Sequence, residues 1–143
     1  TFFGYVATRA KIPQMILTSM TSVVSSKVTL LLIINVFLLI VGCFLETASA
    51  ITIVVPLILP LLTAYNINLT QFGIIMVLNL MIGLLTPPFG LVLFVISKIG
   101  HISIGRFSRA LIPWLGALLA ALLLVTFLPQ LSLWFPTMLG MSV

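Results

Sequence analysis

Residues 28–64 read VTLLLIINVFLLIVGCFLETASAITIVVPLILPLLTA, which is two apolar arms joined by a short polar link. A helix needs about 20 apolar residues to cross roughly 30 Å of hydrocarbon. The first arm, residues 28–45, is long enough to reach deep into a bilayer. The second arm, residues 50–64, covers only about 22 Å, and its two prolines are expected to interrupt it further. We therefore predict a re-entrant helical hairpin over residues 28–64, with its tip at Glu46, Thr47, Ala48 and Ser49.

The apolar run at residues 72–99 is long enough to span a membrane, but Thr86-Pro87-Pro88 cuts it near its middle. Each proline removes an amide donor and clashes with the preceding turn. The residue before a proline is also pushed out of the α region. Two consecutive prolines, with a glycine on each side, therefore predict a broken transmembrane helix over residues 72–99.

Composition places the chain in lipid. Hydrophobic residues make up 62% of its 143 residues and charged residues only 5%, whereas a soluble domain carries about 25% charged residues. No soluble fold could cover its surface with so few charges, so we predict an all-α membrane protein, a multi-span helical bundle in a lipid bilayer. The six basic residues are scattered singly at the edges of apolar runs. That distribution is typical of interface anchoring and predicts no nucleic-acid partner.

The remaining segments are expected to be further membrane-associated helices. Residues 1–27 are interpreted as the end of a helix followed by an interfacial amphipathic arm, with a polar connecting loop as the alternative. Residues 107–143 contain a last span and a tail. Because the chain opens with Thr1 instead of Met, we expect the C-terminal part of a longer polypeptide. The basic residues divide evenly between the two sides, so the positive-inside rule leaves the orientation open.

The two interruptions together predict one binding site. Lipid cannot hydrogen-bond freed backbone groups, so non-helical backbone at membrane depth survives only inside protein or beside a watery cavity. Paired broken segments are the best sequence indication of a transporter's midplane site. The helix that starts near Ser49 presents free amides and partial positive charge, which suit a carboxylate. Thr47 or Ser49 is expected to cap those amides or to face the ligand.

The second interruption suits a cation. The half-helix that ends at Leu85 presents unpaired carbonyls and partial negative charge. We expect Thr86 to be the N-cap of the next half-helix and Pro87 its first residue. Because Pro87 and Pro88 leave that half-helix with fewer donors, the break favours Na⁺ over an anion. The Thr86 hydroxyl and the carbonyls between Gly83 and Leu85 are the expected Na⁺ ligands, with the hairpin tip close to the same ion.

Three further polar residues lie within or between apolar runs. Glu46 is the only acid in the chain. It is either a functional charge or a tip residue that accepts amide hydrogen bonds from the next helix. Asn35 and Asn79 are expected to form hydrogen bonds between helices more readily than to contact a ligand.

Four motifs occur in order along the chain: LETASAI at residues 45–51, VPLILP at 55–60, FGIIMVLN at 72–79 and GLLTPPFG at 83–90. In this order they resemble the large membrane subunit of tripartite ATP-independent periplasmic (TRAP) transporters. The likeness covers about residues 9–136 and matches the C-terminal half of that subunit. One departure is Glu46, which stands where an aspartate is common in the family.

Membership of this family would imply Na⁺-driven uptake of small organic acid anions, of the C4-dicarboxylate or sialic-acid type, across a bacterial inner membrane. A periplasmic substrate-binding protein would deliver the anion, and a small membrane subunit, sometimes fused to the large one, would be a partner. The fold would be half of an inverted-repeat, elevator-type transporter. Residues 1–27 and 107–143 would belong to its scaffold, and residues 98–109 would be cytoplasmic.

An intramembrane enzyme is the rival class. It would need a nucleophile with a base, paired carboxylates or a metal cluster, but the chain has only one acid, one histidine and one cysteine, and the histidine is remote from the other two in sequence. We therefore predict no enzyme and no cofactor, with Na⁺ only as a coupling ion. A purely structural membrane subunit would have little reason to keep two polar breaks at bilayer depth. An ion channel stays open as an alternative, because half-helices also line pores.

Overall fold

The computed structural model describes residues 2, 6, 9–87 and 90–140, and this part of the chain is helical and contains no β-strand. Seven helices are described between Ile12 and Met138. They are α1 (Ile12–Val23), α2 (Lys27–Phe44), α3 (Thr47–Ala64), α4 (Leu69–Leu85), α5 (Leu91–Gly100), α6 (Ile104–Phe127) and α7 (Pro129–Met138).

Three of these helices, α2, α3 and α6, are long and apolar enough to cross a membrane. Much of their apolar surface is not covered by the rest of the chain. Val36 and Ile40 on α2, for example, are 59% and 55% exposed. Apolar surface on this scale belongs against lipid or other protein. The chain is therefore an all-α membrane protein, as its composition predicts.

Capping side chains fix the starts of α3 and α4. The Asn68 carboxamide accepts hydrogen bonds from the amides of Thr70 and Gln71 at 2.9 and 3.3 Å. The Glu46 carboxylate accepts one from the amide of Ala48. These bonds satisfy amides that the first helical turn leaves without a partner. The connection between α3 and α4 is therefore short, residues 65–68.

The predicted interruption of the second hairpin arm is wrong. α3 is continuous through Pro56 and Pro60 and has 18 residues, or about 27 Å. Transmembrane helices tolerate proline where neighbouring groups compensate for the lost hydrogen bond. Here the buried side chains Val54, Ile58 and Leu62 hold one face of α3 against the bundle. This packing offsets the two missing amide donors.

α2 and α4 form the most extensive helix contact of the described bundle and run parallel. Asn35 contacts Asn79 near the middle of these helices. About two turns further along α2, Gly42 contacts Leu80 and Gly83 on α4. Because the contact further along α2 is also further along α4, the two helices run in the same direction and have their C-terminal ends side by side.

The opposite end of the hairpin is closed by two hydrogen bonds. The Tyr65 hydroxyl donates to the carbonyl of Val24 at 2.7 Å, and the Lys27 ammonium donates to the carbonyl of Asn66 at 3.3 Å. Elsewhere α2 and α3 make few contacts with each other, while α3 packs mainly on α1 and α4. The arms are thus joined at the base and at the tip.

The C-terminal helices lie against the broken helix. α5 continues to Gly100 and α6 begins at Ile104, so the loop is shorter than the predicted residues 98–109. α6 runs antiparallel to α4, because Gln71 at the start of α4 donates to the carbonyl of Thr126 at the end of α6. α6 packs on α4, α5 and α7. The assignment of residues 107–143 to a scaffold stays a prediction.

Candidate site between the two helix interruptions

Gly42 on α2 and Gly83 on α4 bring the two helix backbones into contact. A Cβ atom built on Gly83 would lie 2.7 Å from both the Cα and the carbonyl carbon of Gly42, and 3.0 Å from the carbonyl oxygen of Leu39. Small residues allow this close approach between membrane helices. The contact places the end of α2, where the hairpin turns, against the end of α4, where the broken helix stops.

A cavity of about 210 Å³ lies next to this contact. Its lining consists of Cys43, Phe44, Leu45 and Glu46 from the hairpin, Leu84 before the break and Leu91 after it. The two interruptions, far apart in sequence, therefore open on the same space. Larger cavities, of about 480 Å³ beside α7 and about 430 Å³ on the outer face of α2, contain none of the predicted site residues.

Helix ends of both polarities meet around this cavity. α2 and α4 end here, and α3 and α5 begin here. Helix C-terminal ends carry partial negative charge and offer carbonyl oxygens to a cation. Helix N-terminal ends carry partial positive charge and offer amides to an anion. The arrangement is suited to holding a cation and an organic anion close together.

Glu46 caps the first turn of α3. Its Oε1 accepts a hydrogen bond from the amide of Ala48 and its Oε2 accepts one from the hydroxyl of Ser49, each at 3.2 Å. These contacts match the interpretation of Glu46 as a tip residue that accepts hydrogen bonds from the next helix. The carboxylate is also exposed and part of the cavity lining. Its negative charge would attract a cation placed between the ends of α2 and α4.

The other three predicted tip residues lie next to Glu46 in the chain but do not line the cavity themselves. Ala48 and Ser49 are exposed and Thr47 is half-buried, and of these four tip residues Glu46 alone belongs to the cavity lining. The Ser49 hydroxyl donates to the carboxylate and so orients it. A hydroxyl that donates one hydrogen bond keeps lone pairs for a second partner. Ser49 can therefore orient Glu46 and offer a lone pair to a cation at the same time.

Thr86 closes the last turn of α4. Its hydroxyl donates to the carbonyl of Ile82 at 2.7 Å, its amide donates to the carbonyl of Gly83 at 3.0 Å, and its carbonyl accepts from the amide of Gly90 at 3.2 Å. The Gly83 carbonyl, an expected Na⁺ ligand, is thus already hydrogen-bonded. Thr86 and Leu85 are both half-buried. The Thr86 hydroxyl oxygen keeps lone pairs that a cation could use.

The expectation that Thr86 caps the second half-helix, with Pro87 as its first residue, is wrong. Thr86 ends α4, and α5 begins at Leu91 directly after Gly90. The Thr86 backbone is extended, with φ −91° and ψ 127°, because the following proline excludes the α conformation. Pro87 is exposed. Pro88, the second proline of the predicted break, lies outside the described residues.

Gly90 packs against the end of α4 and should not tolerate a side chain. A Cβ atom built there would lie 2.8 Å from the carbonyl oxygen of Leu84 and 3.1 Å from that of Thr86. Because backbone cannot rotate aside, we expect Gly90→Ala to lower the free energy of unfolding by about 1–3 kcal/mol, measured from thermal melts. The control is Gly116→Ala on α6, where nothing lies within 4 Å. Equal melting temperatures for the two variants would contradict this assignment.

A buried polar cluster joins α2, α4 and α6, about one helical turn before Gly83 on α4 and about two turns before Gly42 on α2. Asn79 Nδ2 donates to Asn35 Oδ1 at 2.5 Å, and Asn35 Nδ2 donates to Thr126 Oγ1 at 3.1 Å. All three residues are buried. The predicted hydrogen bonding of Asn35 and Asn79 between helices is confirmed.

Thr126 was not predicted as a member of this cluster, and Gln71 was not predicted as a neighbour of Thr126. Gln71 Nε2 donates to the carbonyls of Val125 and Thr126 at 3.4 and 3.3 Å, and the Thr126 hydroxyl donates to the carbonyl of Leu122 at 2.8 Å. The available signal was a polar side chain at the start of one apolar run and another at the end of a later one. Such residues meet only if the two helices are antiparallel neighbours, which periodicity does not reveal.

Asn79 Oδ1 has no hydrogen-bond partner within the described part of the chain, although the residue is fully buried. An unsatisfied buried acceptor costs about 1–3 kcal/mol. Asn79 therefore lowers the stability of the fold in a way that an apolar residue at the same place would not.

Comparison with known proteins identifies the family. Residues 1–131 match the family model of the tripartite ATP-independent periplasmic transporter, DctM component. The chain is 41% identical over 94% of its length to the C4-dicarboxylate TRAP transporter large permease protein DctM of Vibrio cholerae, covering 30% of that protein. It is 38% identical over 95% of its length to the sialic acid TRAP transporter large permease protein SiaM of the same species, covering 32% of that protein.

A third relative, the isethionate TRAP transporter permease protein DctMQ of Oleidesulfovibrio alaskensis, is 39% identical over 94% of this chain, which covers 21% of the relative. The chain thus spans about a fifth to a third of the length of the curated relatives it matches. These matches are to components of transporters, not to enzymes. With a family match over most of its residues, this chain belongs to the DctM component family of the tripartite ATP-independent periplasmic transporters.

Proposed function

We propose that this chain forms part of the ion and substrate site of a sodium-coupled secondary transporter that imports small organic acid anions. The proposal depends on one observation above the others. The hairpin tip and the break between α4 and α5 open on the same cavity, between the C-terminal ends of two parallel helices. Irregular backbone at membrane depth is stable only where something polar contacts it.

The chemistry of the cavity supports Na⁺ as the coupling ion. Sodium prefers oxygen ligands, as other hard cations do. The Glu46 carboxylate lines the cavity, and Thr86, two residues beyond the lining residue Leu84, has lone pairs on its hydroxyl oxygen after its bond to Ile82. With Glu46 as the single acid, the chain itself carries a formal net charge of +5. A bound cation would add charge that the carboxylate and the carbonyl ends of α2 and α4 can balance.

The names of the relatives support an organic anion as the substrate. They specify C4-dicarboxylates, sialic acid and isethionate, which share a carboxylate or sulfonate group. The amides at the start of α3 and α5 suit such a group. We assign the substrate as a small carboxylate of the C4-dicarboxylate or sialic-acid class.

Family membership supports two protein partners and a location. A periplasmic substrate-binding protein would deliver the anion, in keeping with the tripartite, periplasmic character of the family. A small membrane subunit would pack on the large one, and the combined name DctMQ of the isethionate relative supports a subunit that is sometimes fused. The location would be the bacterial inner membrane.

Helix lengths support a re-entrant hairpin. The tip lies level with the end of α4, because Gly42 contacts Gly83. We place the 10 residues of α5, about 15 Å, beyond that level, because α6 follows α5, runs antiparallel to α4 and has 24 residues against the 17 of α4. The hairpin therefore stops well short of the side that α5 reaches, in keeping with a site inside an elevator-type carrier built from two inverted halves.

Uptake by the complete transporter in proteoliposomes tests the proposal. Radiolabelled C4-dicarboxylate or sialic acid should accumulate only when an inward Na⁺ gradient is imposed and the binding protein is present. An uptake rate that does not depend on the Na⁺ gradient would exclude sodium coupling. Flux far above carrier rates without any gradient would favour the alternative, an ion channel.

The hydroxyl groups of Thr86 and Ser49 give a sharper test. We expect Thr86→Ala and Ser49→Ala to raise the half-saturating Na⁺ concentration by about tenfold, the equivalent of one lost ligand or orienting hydrogen bond. Thr86→Ser, which keeps the hydroxyl, should stay close to the parent.

Ser108→Ala is the matched control for these variants. The Ser108 hydroxyl donates to the carbonyl four residues earlier, as that of Thr86 does, at 2.8 Å, but it lies on α6, a helix that contributes no residue to the cavity lining. If Thr86→Ala and Ser49→Ala behave like Ser108→Ala, the assigned ion site is wrong.

A further inference from the structure

Three features follow one another along the contact between α2 and α4: a polar cluster, the glycine contact and the cavity. We call Asn35, Asn79 and Thr126 the polar clasp. Asn79 lies one turn before Gly83 on α4, and Asn35 lies one turn before Leu39 on α2. The carbonyl oxygen of Leu39 is 3.0 Å from the Cβ position of Gly83. The order along both helices is therefore clasp, glycine contact and cavity.

The hydrogen bonds of the clasp run in one direction across three helices. Asn79 donates to Asn35, Asn35 donates to Thr126, and Thr126 donates to the carbonyl of Leu122. Each bond between two helices forms only when one helix has a particular position along the length of the other. A shift of α4 along α2 by a single turn, about 5.4 Å, would break the first bond. The same shift would carry Gly83 away from Gly42.

Stability alone does not account for Asn79. Its Oδ1 is buried and has no hydrogen-bond partner in the described part of the chain. Apolar residues at both asparagine positions would remove that unsatisfied acceptor. Buried asparagines between helices are known to fix helix register at a cost in stability.

We propose that Asn79 is a positioning residue for the ion site: through Asn35 it fixes the register of α4 on α2 and so holds the cavity walls in place. The ion-affinity part of this inference rests on the proposed function. The register part does not, because it concerns only how two helices of this chain contact each other.

The first experiment separates stability from ion affinity. Asn79→Leu leaves Asn35 Oδ1 without its donor, whereas the double variant Asn35→Leu with Asn79→Leu removes both members of the bond. We expect thermal stability to fall in the single variant and to recover in the double variant. The half-saturating Na⁺ concentration should rise about fivefold or more in both, with a smaller change in the maximal rate.

Met76→Leu is the matched control. Met76 is a buried residue of α4, one turn before Leu80 and outside the clasp, and the substitution conserves volume. Its half-saturating Na⁺ concentration should equal that of the parent protein. If the double variant also stays within about twofold of the parent, the inference is wrong.

A cross-link measures register without any transport. Cys43 and Leu84 both line the cavity, each one residue beyond the glycine contact. Leu84→Cys, in the complete transporter with cysteines elsewhere in the protein replaced, should be joined to Cys43 by a short, rigid bifunctional thiol reagent that bridges the cavity both residues line. We expect the cross-linking yield to fall at least about threefold when Asn35→Leu and Asn79→Leu are added, because a shift of one helical turn, about 5.4 Å, exceeds the range of such a reagent.

The cross-linking yield and the Na⁺ dependence together distinguish a failure of the register inference from a failure of the proposed function. An unchanged cross-linking yield in the double variant overturns the inference whatever the Na⁺ dependence. If the parent transporter shows no Na⁺ dependence, the proposed function fails, and the cross-link alone then decides whether Asn79 sets the register. Support requires that the yield falls and, in a Na⁺-dependent parent, that the half-saturating concentration rises.

Discussion

Replacing Gly83 with alanine is expected to force α4 away from α2 and to lower the free energy of unfolding by about 1–3 kcal/mol. The new Cβ would lie 2.7 Å from two backbone atoms of Gly42. Neither helix can relieve that contact by rotating a side chain, so the backbones must separate. Because the cavity begins at this contact, the Na⁺-driven uptake that we propose should fall by about tenfold or more.

Gly73→Ala provides a control on the same helix. Nothing lies within 4 Å of a Cβ atom built on Gly73, and alanine is the better helix former by about 0.5–1 kcal/mol. We therefore expect Gly73→Ala to leave thermal stability unchanged or slightly raised, with normal uptake. Equal effects of the two substitutions would mean that the close approach of α2 and α4 does not hold the site together.

Removing the charge of Glu46 is expected to weaken the proposed Na⁺ binding by about tenfold or more, because the carboxylate is the only negative side chain in the chain and lines the cavity. Glu46→Gln keeps a side-chain oxygen that can accept from the amide of Ala48. The capping of α3 is thus largely preserved while the charge is lost. The measurement is the half-saturating Na⁺ concentration of uptake.

Glu46→Asp separates charge from side-chain length. Aspartate is a good helix N-cap and keeps the negative charge, so this variant should retain Na⁺ affinity close to that of the parent. If Glu46→Gln also keeps the parent's affinity, Glu46 serves only as the cap of α3. In that case the cation ligands must be sought in the backbone and at Thr86.

The positions of both interruptions could be predicted from the sequence, because their causes are local. Two adjacent prolines cannot continue a helix, and a polar link between apolar arms marks a turn. The structure ends α4 at Leu85 and begins α3 at Thr47, at these same places. Local chemistry did not predict that α3 is continuous through Pro56 and Pro60, since the compensation comes from packing against other helices.

Contacts between helices were the least predictable part of the site. Asn35 and Asn79 are polar residues in apolar runs, so hydrogen bonding between helices was foreseeable, but Thr126 as the third partner was not. The prediction that Thr86 caps the second half-helix was wrong for a related reason. A sequence pattern favours Thr86 as an N-cap, whereas the observed bonds of Thr86 to Ile82 and Gly83 assign it to the helix before.

The parallel course of α2 and α4 has an electrostatic consequence. In antiparallel neighbours the helix dipoles attract each other and largely cancel. Here the C-terminal ends of α2 and α4, which both carry partial negative charge, are held in contact at Gly42 and Gly83. Their mutual repulsion is scarcely screened at bilayer depth, where water is scarce. A positive counter-charge lodged between these two ends would turn that repulsion into attraction. Loading the ion should therefore tighten the helix pair, and the melting temperature should rise with sodium concentration.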